Sequence, residues 1–123
     1  MALTRYLTKP ERDYNHLNKM STYRVVRHPL LSSDLINLVD LVADYAGAHV
    51  AERKIAEIEQ TIETLRHTPH LGSLRDEIYP NLRAIPVADK GVLCFTVDDD
   101  TLTVAIICIA YAGADWSSSV ARR

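Results

Sequence analysis

Few residues in this chain have the type and spacing to do chemistry. Arg83 stands at the head of a β-forming run, and its fixed fork of donors matches phosphate or carboxylate oxygens. A salt bridge to a helix carboxylate is an equal use for it. Arg75-Asp76-Glu77 reads as a solvated loop that pairs internally, with contact to a partner as the sharper alternative. Tyr111 closes the last apolar run, where a tyrosine covers a core rim unless its geometry or pKa is tuned for proton transfer. His67 and His70 are three apart, but Pro69 lies between them and no cysteine is near, so loop residues are expected and no metal site. Asp98-Asp99-Asp100 lacks the spacing of a calcium loop and reads as a hairpin turn. Cys94 and Cys108 lie inside apolar runs without CxxC spacing, as buried small hydrophobes do. There is no Ser-His-Asp order, no glycine-rich phosphate loop and no paired-carboxylate motif, and only four glycines are present. No cofactor is expected.

Periodicity indicates the elements that position these residues. Tyr23 to Arg27 reads as a short strand. Leu31, Leu35, Leu38, Val42 and Tyr45 then recur at helical spacing, with His28 in a capping position beside Pro29 and Asp34 early in the helix, where its charge suits the dipole. Gly47 is a natural stop. A second helix, about Ala48 to Arg66, carries the stripe Ala51, Ile55, Ile58, Ile62 and Leu65, and Thr68-Pro69 ends it. Two such helices on a short linker read as an antiparallel hairpin. Residues 67–81 read as a loop, followed by strands at Leu82 to Val87, Gly91 to Val97 and Leu102 to Tyr111. The last strand has Val104, Ile106 and Cys108 on one face and Ala105, Ile107 and Ile109 on the other. Being apolar on both faces, it suits a central position or a face covered by a partner, which leaves room for a homodimer. The layout is α+β, β-α-α-β-β-β, with a helical hairpin on a small, mainly antiparallel sheet.

The 123 residues suit one domain, 47% hydrophobic and 24% charged. Residues 1–21 read as a flexible N-terminal extension, 22–116 as the domain and 117–123 as a C-terminal tail. No apolar run approaches membrane-spanning length and the first residues lack a secretory pattern, so the expectation is cytoplasmic, with no membrane partner. The net charge is −2, but its distribution is uneven. Residues 1–21 and 117–123 are each +2, whereas residues 22–116 hold eight basic and fourteen acidic side chains. An acidic domain is a poor footprint for nucleic acid and suits a basic protein partner better.

The stretch HLGSLRDEIYPNLRAIPV, residues 70–87, resembles the segment of ParE/RelE toxins that links helical hairpin to sheet. The resemblance rests on Pro69, Leu71-Gly72, Arg75-Asp76-Glu77 and Leu82-Arg83. GVLCFTVDDDTLTVAIICIAYAGADW looks like the family's closing hairpin with its final Asp-Trp at Asp115-Trp116, and YRVVRHPLLSSDLINLVDLVADYAG like its opening strand and first helix. The resemblance spans about residues 22–116. Ile109-Ala110-Tyr111-Ala112 and Ala114 depart from the Val-Leu-His-Gly-like segment and the arginine of many relatives.

The resemblance implies the toxin of a type II toxin–antitoxin pair (a plasmid stabilisation protein in some settings). Such a toxin inhibits growth by binding a target such as DNA gyrase and is neutralised by a cognate antitoxin. Arg75, Arg83, Tyr111, Asp115 and Trp116 would be contact residues. A RelE-like messenger endoribonuclease acting on the ribosome is the alternative. It would use Arg83 on phosphate and Tyr111 in proton transfer, without metal, and would need a basic patch from Arg24, Arg27, Arg75 and Arg83. A third reading is a degenerate, non-toxic binding module, motivated by Ala114.

Overall fold

The structure, a computed structural model, describes residues 22–123. The N-terminal extension lies outside the described residues. Strand β1 (Arg24–Arg27) leads into helices α1 (Leu31–Ala46) and α2 (Ala48–His67). After them come β2 (Ser73–Leu74), β3 (Leu82–Val87), β4 (Gly91–Asp98), β5 (Thr103–Tyr111) and α3 (Trp116–Ala121). The five strands form one sheet in the order β1-β5-β4-β3-β2. Only the β1–β5 pair is parallel; the others are antiparallel. The expected α+β layout therefore holds, with a two-residue strand and a terminal helix added to it.

The hairpin turns on Gly47, whose φ of 94° ends one helix and opens the next. Leu31, Leu38 and Val42 of α1 and Ala51, Ile58, Ile62 and Leu65 of α2 are buried. They pack on Leu93, Phe95, Val104 and Ile106 of the central strands. Each stripe alone is too small to hold a helix in water, so both helices depend on the sheet. Gly72 holds the chain against β3. Its φ is 77°, and an added Cβ would sit 2.5 Å from the Ala84 carbonyl oxygen. Gly72→Ala therefore meets both a left-handed backbone and an immovable strand. We expect a loss of about 2–3 kcal/mol, read as a lower urea midpoint at unchanged m-value.

The last strand is indeed internal, between β1 and β4. Its expected alternation fails at one point. Phe95 pairs with Ile106 but Cys94 pairs with Cys108, so Ile107 is an extra residue, a β-bulge. Beyond it the faces exchange. Val104 and Ile106, then Ile109 and Tyr111, look toward the helices, whereas Cys108 looks away with Cys94, Leu82, Ala84 and Val120. Strict period-two reading had grouped Cys108 with Ile106 because a bulge leaves no mark in hydrophobicity.

The segment after residue 116, expected as a tail, contains a helix that covers this second face. Val120 of α3 is buried there, with Trp116 at its margin. Asp115 caps the helix: its carboxylate accepts from the Ser118 amide at 3.2 Å and from the hydroxyls of Ser117 and Ser118 at 2.8 and 2.6 Å. Those serines made the segment look unstructured, yet they are what a capping aspartate needs.

Candidate functional site

Of the five residues singled out as contacts, three come together on the sheet face away from the hairpin. The Arg75 guanidinium lies 4.9 Å over the Trp116 ring and its Nε donates to Glu77 at 2.5 Å. Asp115 is the neighbouring cap. Arg75 holds the Glu77 carboxyl below the usual range. Asp76 also turns inward in the chain, its Oδ1 accepting the Asn81 amide at 2.8 Å.

Arg83 and Tyr111 are elsewhere and apart from each other. Arg83 donates from Nη1 to the Leu71 carbonyl at 3.3 Å, which ties the loop after α2 to β3. It pairs with Phe95 on β4, whereas Tyr111 pairs with Gly91. Four residues of strand separate those levels, roughly 13 Å. Tyr111 is buried, and its hydroxyl lies 3.4 Å from that of Tyr45. Burial, then the Tyr45 contact, pushes its pKa up to about 12, so the phenol stays protonated at neutral pH.

The basic patch that phosphoryl transfer would need is not assembled. Arg24 and Arg27 lie on β1 at one sheet edge, whereas Arg83 is on β3 and Arg75 follows β2 at the other. Three strand spacings from β1 to β3 amount to roughly 14 Å. Arg27 is also committed to Glu59, with both guanidinium nitrogens on the carboxylate.

Two clusters escaped sequence reasoning. In the first, Asp99 accepts from the Tyr23 hydroxyl at 2.6 Å and meets His70 Nε2 at 2.9 Å. This clasp joins the start of β1, the loop after α2 and the aspartate turn. The bond to Asp99, then burial, raises Tyr23 to about 12, the wrong direction for a nucleophile. In the second, Asp34 of α1 accepts the Ile109 amide at 3.1 Å and the Arg123 guanidinium at 2.6 and 2.7 Å. The β1 ladder ends at Arg27 opposite Ile106, so the carboxylate serves a strand amide beyond its reach. Residues 34 and 123 share no local pattern, so nothing in the sequence could have paired them.

Among the described residues His67 meets Glu63, while His70 turns to Asp99. Among the described residues no group of three His, Cys, Asp or Glu side chains is placed to hold a metal ion. No helix among them is long and apolar enough to cross a membrane.

A notch remains between α1 and the end of β5. It measures about 220 Å³ and has a mixed lining, with Leu38, Leu41 and Ile109 beside Asp34, Asn37 and Ser119 among others. Leu41 and Tyr45, one helical turn apart on α1, leave 43% and 56% of their surface in water beside it.

These features agree with the comparisons. Residues 25–116 match the model of the ParE toxin of type II toxin–antitoxin systems, parDE. The chain belongs to the ParE toxin family. Among solved structures it is similar to the chromosomal ParDE toxin–antitoxin system of P. aeruginosa, with a TM-score of 0.62 and 16% identity over 75% of this chain and 98% of that one. It is also similar to a mutant of the E. coli toxin RelE in the free state, with a TM-score of 0.56 and 17% identity over 82% and 95% of the two chains. The RelBE2 toxin–antitoxin complex of Mycobacterium tuberculosis gives 0.50 and 16% over 74% and 99%. At such identities the likeness establishes the fold. No curated protein matches the sequence.

The Asp115 cap carries a pH prediction. Hydrogen bonds from Ser118, then Ser117, lower its pKa to about 2 from an ordinary value near 3.8. A depressed carboxylate stabilises the fold above its unfolded pKa, and that contribution fades as pH falls through the folded value. Asp115→Ala is therefore expected to lower the thermal midpoint by a few degrees near neutral pH. The difference from wild type should shrink steadily below pH ~4, be mostly lost by pH ~2 and vanish near pH ~1, in paired melts across that range.

Proposed function

We propose that this chain is a growth-inhibiting toxin that acts in the cytoplasm by binding a protein target, with DNA gyrase as the target class, and is silenced by a cognate antitoxin. The observation that carries the reading is the ParE family match over residues 25–116. Two features of the molecule support binding over RNA cleavage. Eight basic against fourteen acidic side chains in residues 22–116 give little attraction for a polyanion. The arginines that would have to surround a scissile phosphate are divided between β1 and the β3–β2 side, with β5 and β4 between them.

For the antitoxin, the exposed Leu41 and Tyr45 beside the notch offer apolar anchor points for an amphipathic helix, and the outer side of β1, unpaired among the described residues, offers an edge for an added strand. Antitoxins accompany the ParDE and RelBE2 neighbours, which supports the same kind of partner here. The contacts to its target would fall to Arg75, Asp115 and Trp116, which already form one cluster.

The purified chain with DNA gyrase and supercoiled plasmid tests this reading. The expected result is accumulation of cleaved DNA that is lost when antitoxin is added. Intact plasmid, together with cleaved message in a translation reaction, would reverse the choice in favour of the ribonuclease.

A further inference from the structure

A second cavity lies on the sheet face away from the hairpin, where the end of β1, the turn before β3 and the end of α3 meet. It measures about 200 Å³ and is lined by His28, Tyr79, Ile107, Val120 and Arg123. That is room for a handful of waters or for one small polyatomic ion.

Its polar lining is His28, Tyr79 and Arg123, each with a group able to donate. The Arg123 side chain is only 10% exposed, and its Nη2 is held by the Asp34 carboxylate. Its Nη1 is buried and has no hydrogen-bond partner among the described residues. An unmatched donor on a buried charged group is costly, and an arriving acceptor removes that cost. His28 Nδ1 accepts the Leu30 amide at 3.0 Å, so in the neutral ring the proton sits on Nε2, a second donor. Tyr79 adds a phenol that has no side-chain partner among the described residues. The Ile107 and Val120 walls thin the water around these groups and strengthen directed bonds.

We propose that this cavity binds a small oxyanion of the phosphate class, held by Arg123 Nη1, His28 Nε2 and the Tyr79 hydroxyl. Asp34 already balances the arginine charge, and the domain is acidic, so general attraction is weak and recognition depends on hydrogen bonds. A few charge-assisted bonds without a free cation correspond to a Kd on the order of 1 mM. The anion is either free phosphate or the terminal phosphate of a monoester. The site is independent of the toxin reading and stands or falls without it.

The test is titration of the full chain with inorganic phosphate at constant ionic strength, followed by phosphorus NMR linewidth, with adenosine monophosphate as a second arm. Saturable one-to-one binding is expected. His28→Ala and Tyr79→Phe should each weaken it about five-fold, the loss of one ordinary hydrogen bond, with unchanged circular dichroism. Tyr79 is half exposed, so its variant reports even if the His28 variant misfolds. Tighter binding of the nucleotide supports a monoester, and equal or weaker binding supports the free anion. Absence of saturable binding in both arms, or affinity unaltered by Tyr79→Phe, overturns the proposal.

Discussion

Asp34→Ala is expected to destabilise the protein by about 3 kcal/mol, a fall in thermal midpoint of roughly 15 °C for a domain of this size. The carboxylate is 15% exposed and its guanidinium partner 10%, so both ions have given up most of their water. Truncating one leaves Arg123 as an uncompensated, largely buried charge, which is why breaking such a pair costs far more than a surface bridge. The same substitution strands the Ile109 amide, which points to the carboxylate beyond the end of the β1 ladder and has no β1 residue opposite it. Two controls separate these effects. Asp34→Asn keeps an acceptor for the amide and loses the charge, so it should fall between wild type and alanine. Removing Arg123 as well relieves the orphaned charge, so Asp34→Ala combined with Arg123→Ala should cost clearly less than the two single losses added together. Strict additivity would mean that the contact contributes nothing.

Phe95→Ala should cost more, about 3–5 kcal/mol. The ring is fully buried on β4 and packs in the core that the sheet shares with both helices. It also lies opposite Ile106, at the step where β5 bulges. Little there can collapse into the void, because the flanking register is fixed by ladder bonds on both sides of β4. Marginal stability makes a loss of this size a large part of the whole, so partial unfolding near body temperature is expected by circular dichroism. A denaturant midpoint within 1 kcal/mol of wild type by the usual ~1–3 kcal/mol/M slope would show that the hairpin and sheet do not share one core.

What could be read from the sequence follows from how local each signal is. Leu31, Leu38 and Val42, and Ala51, Ile58 and Ile62, announce helices because one face of a helix repeats within a few residues. Tyr45 fits the same spacing yet is 56% exposed, and only its hydroxyl meets the sheet, at Tyr111. Ile107 gives no warning of a bulge, since an inserted apolar residue in an apolar strand changes no pattern. Ser117 to Ser119 look like the start of a tail until Asp115 is seen to cap them. Long-range pairs were invisible for the same reason. Arg123 reaches Asp34 across 89 residues, and Tyr23 reaches Asp99 across 76. The site suffered most. Arg24, Arg27, Arg75 and Arg83 are indistinguishable as members of a patch until strand order sends them to opposite edges. The family resemblance carried the fold because it rested on the order of segments, and segment order is what survives when side chains change.

The central claim is that this is a toxin held in check by a partner. Growth after tightly induced expression of the chain in a bacterium, with and without co-expressed cognate antitoxin, tests it most directly. Arrest that the antitoxin relieves, accompanied by a DNA-damage response, is expected. Unimpeded growth with soluble, folded protein present would contradict it, and would leave a non-toxic binding module.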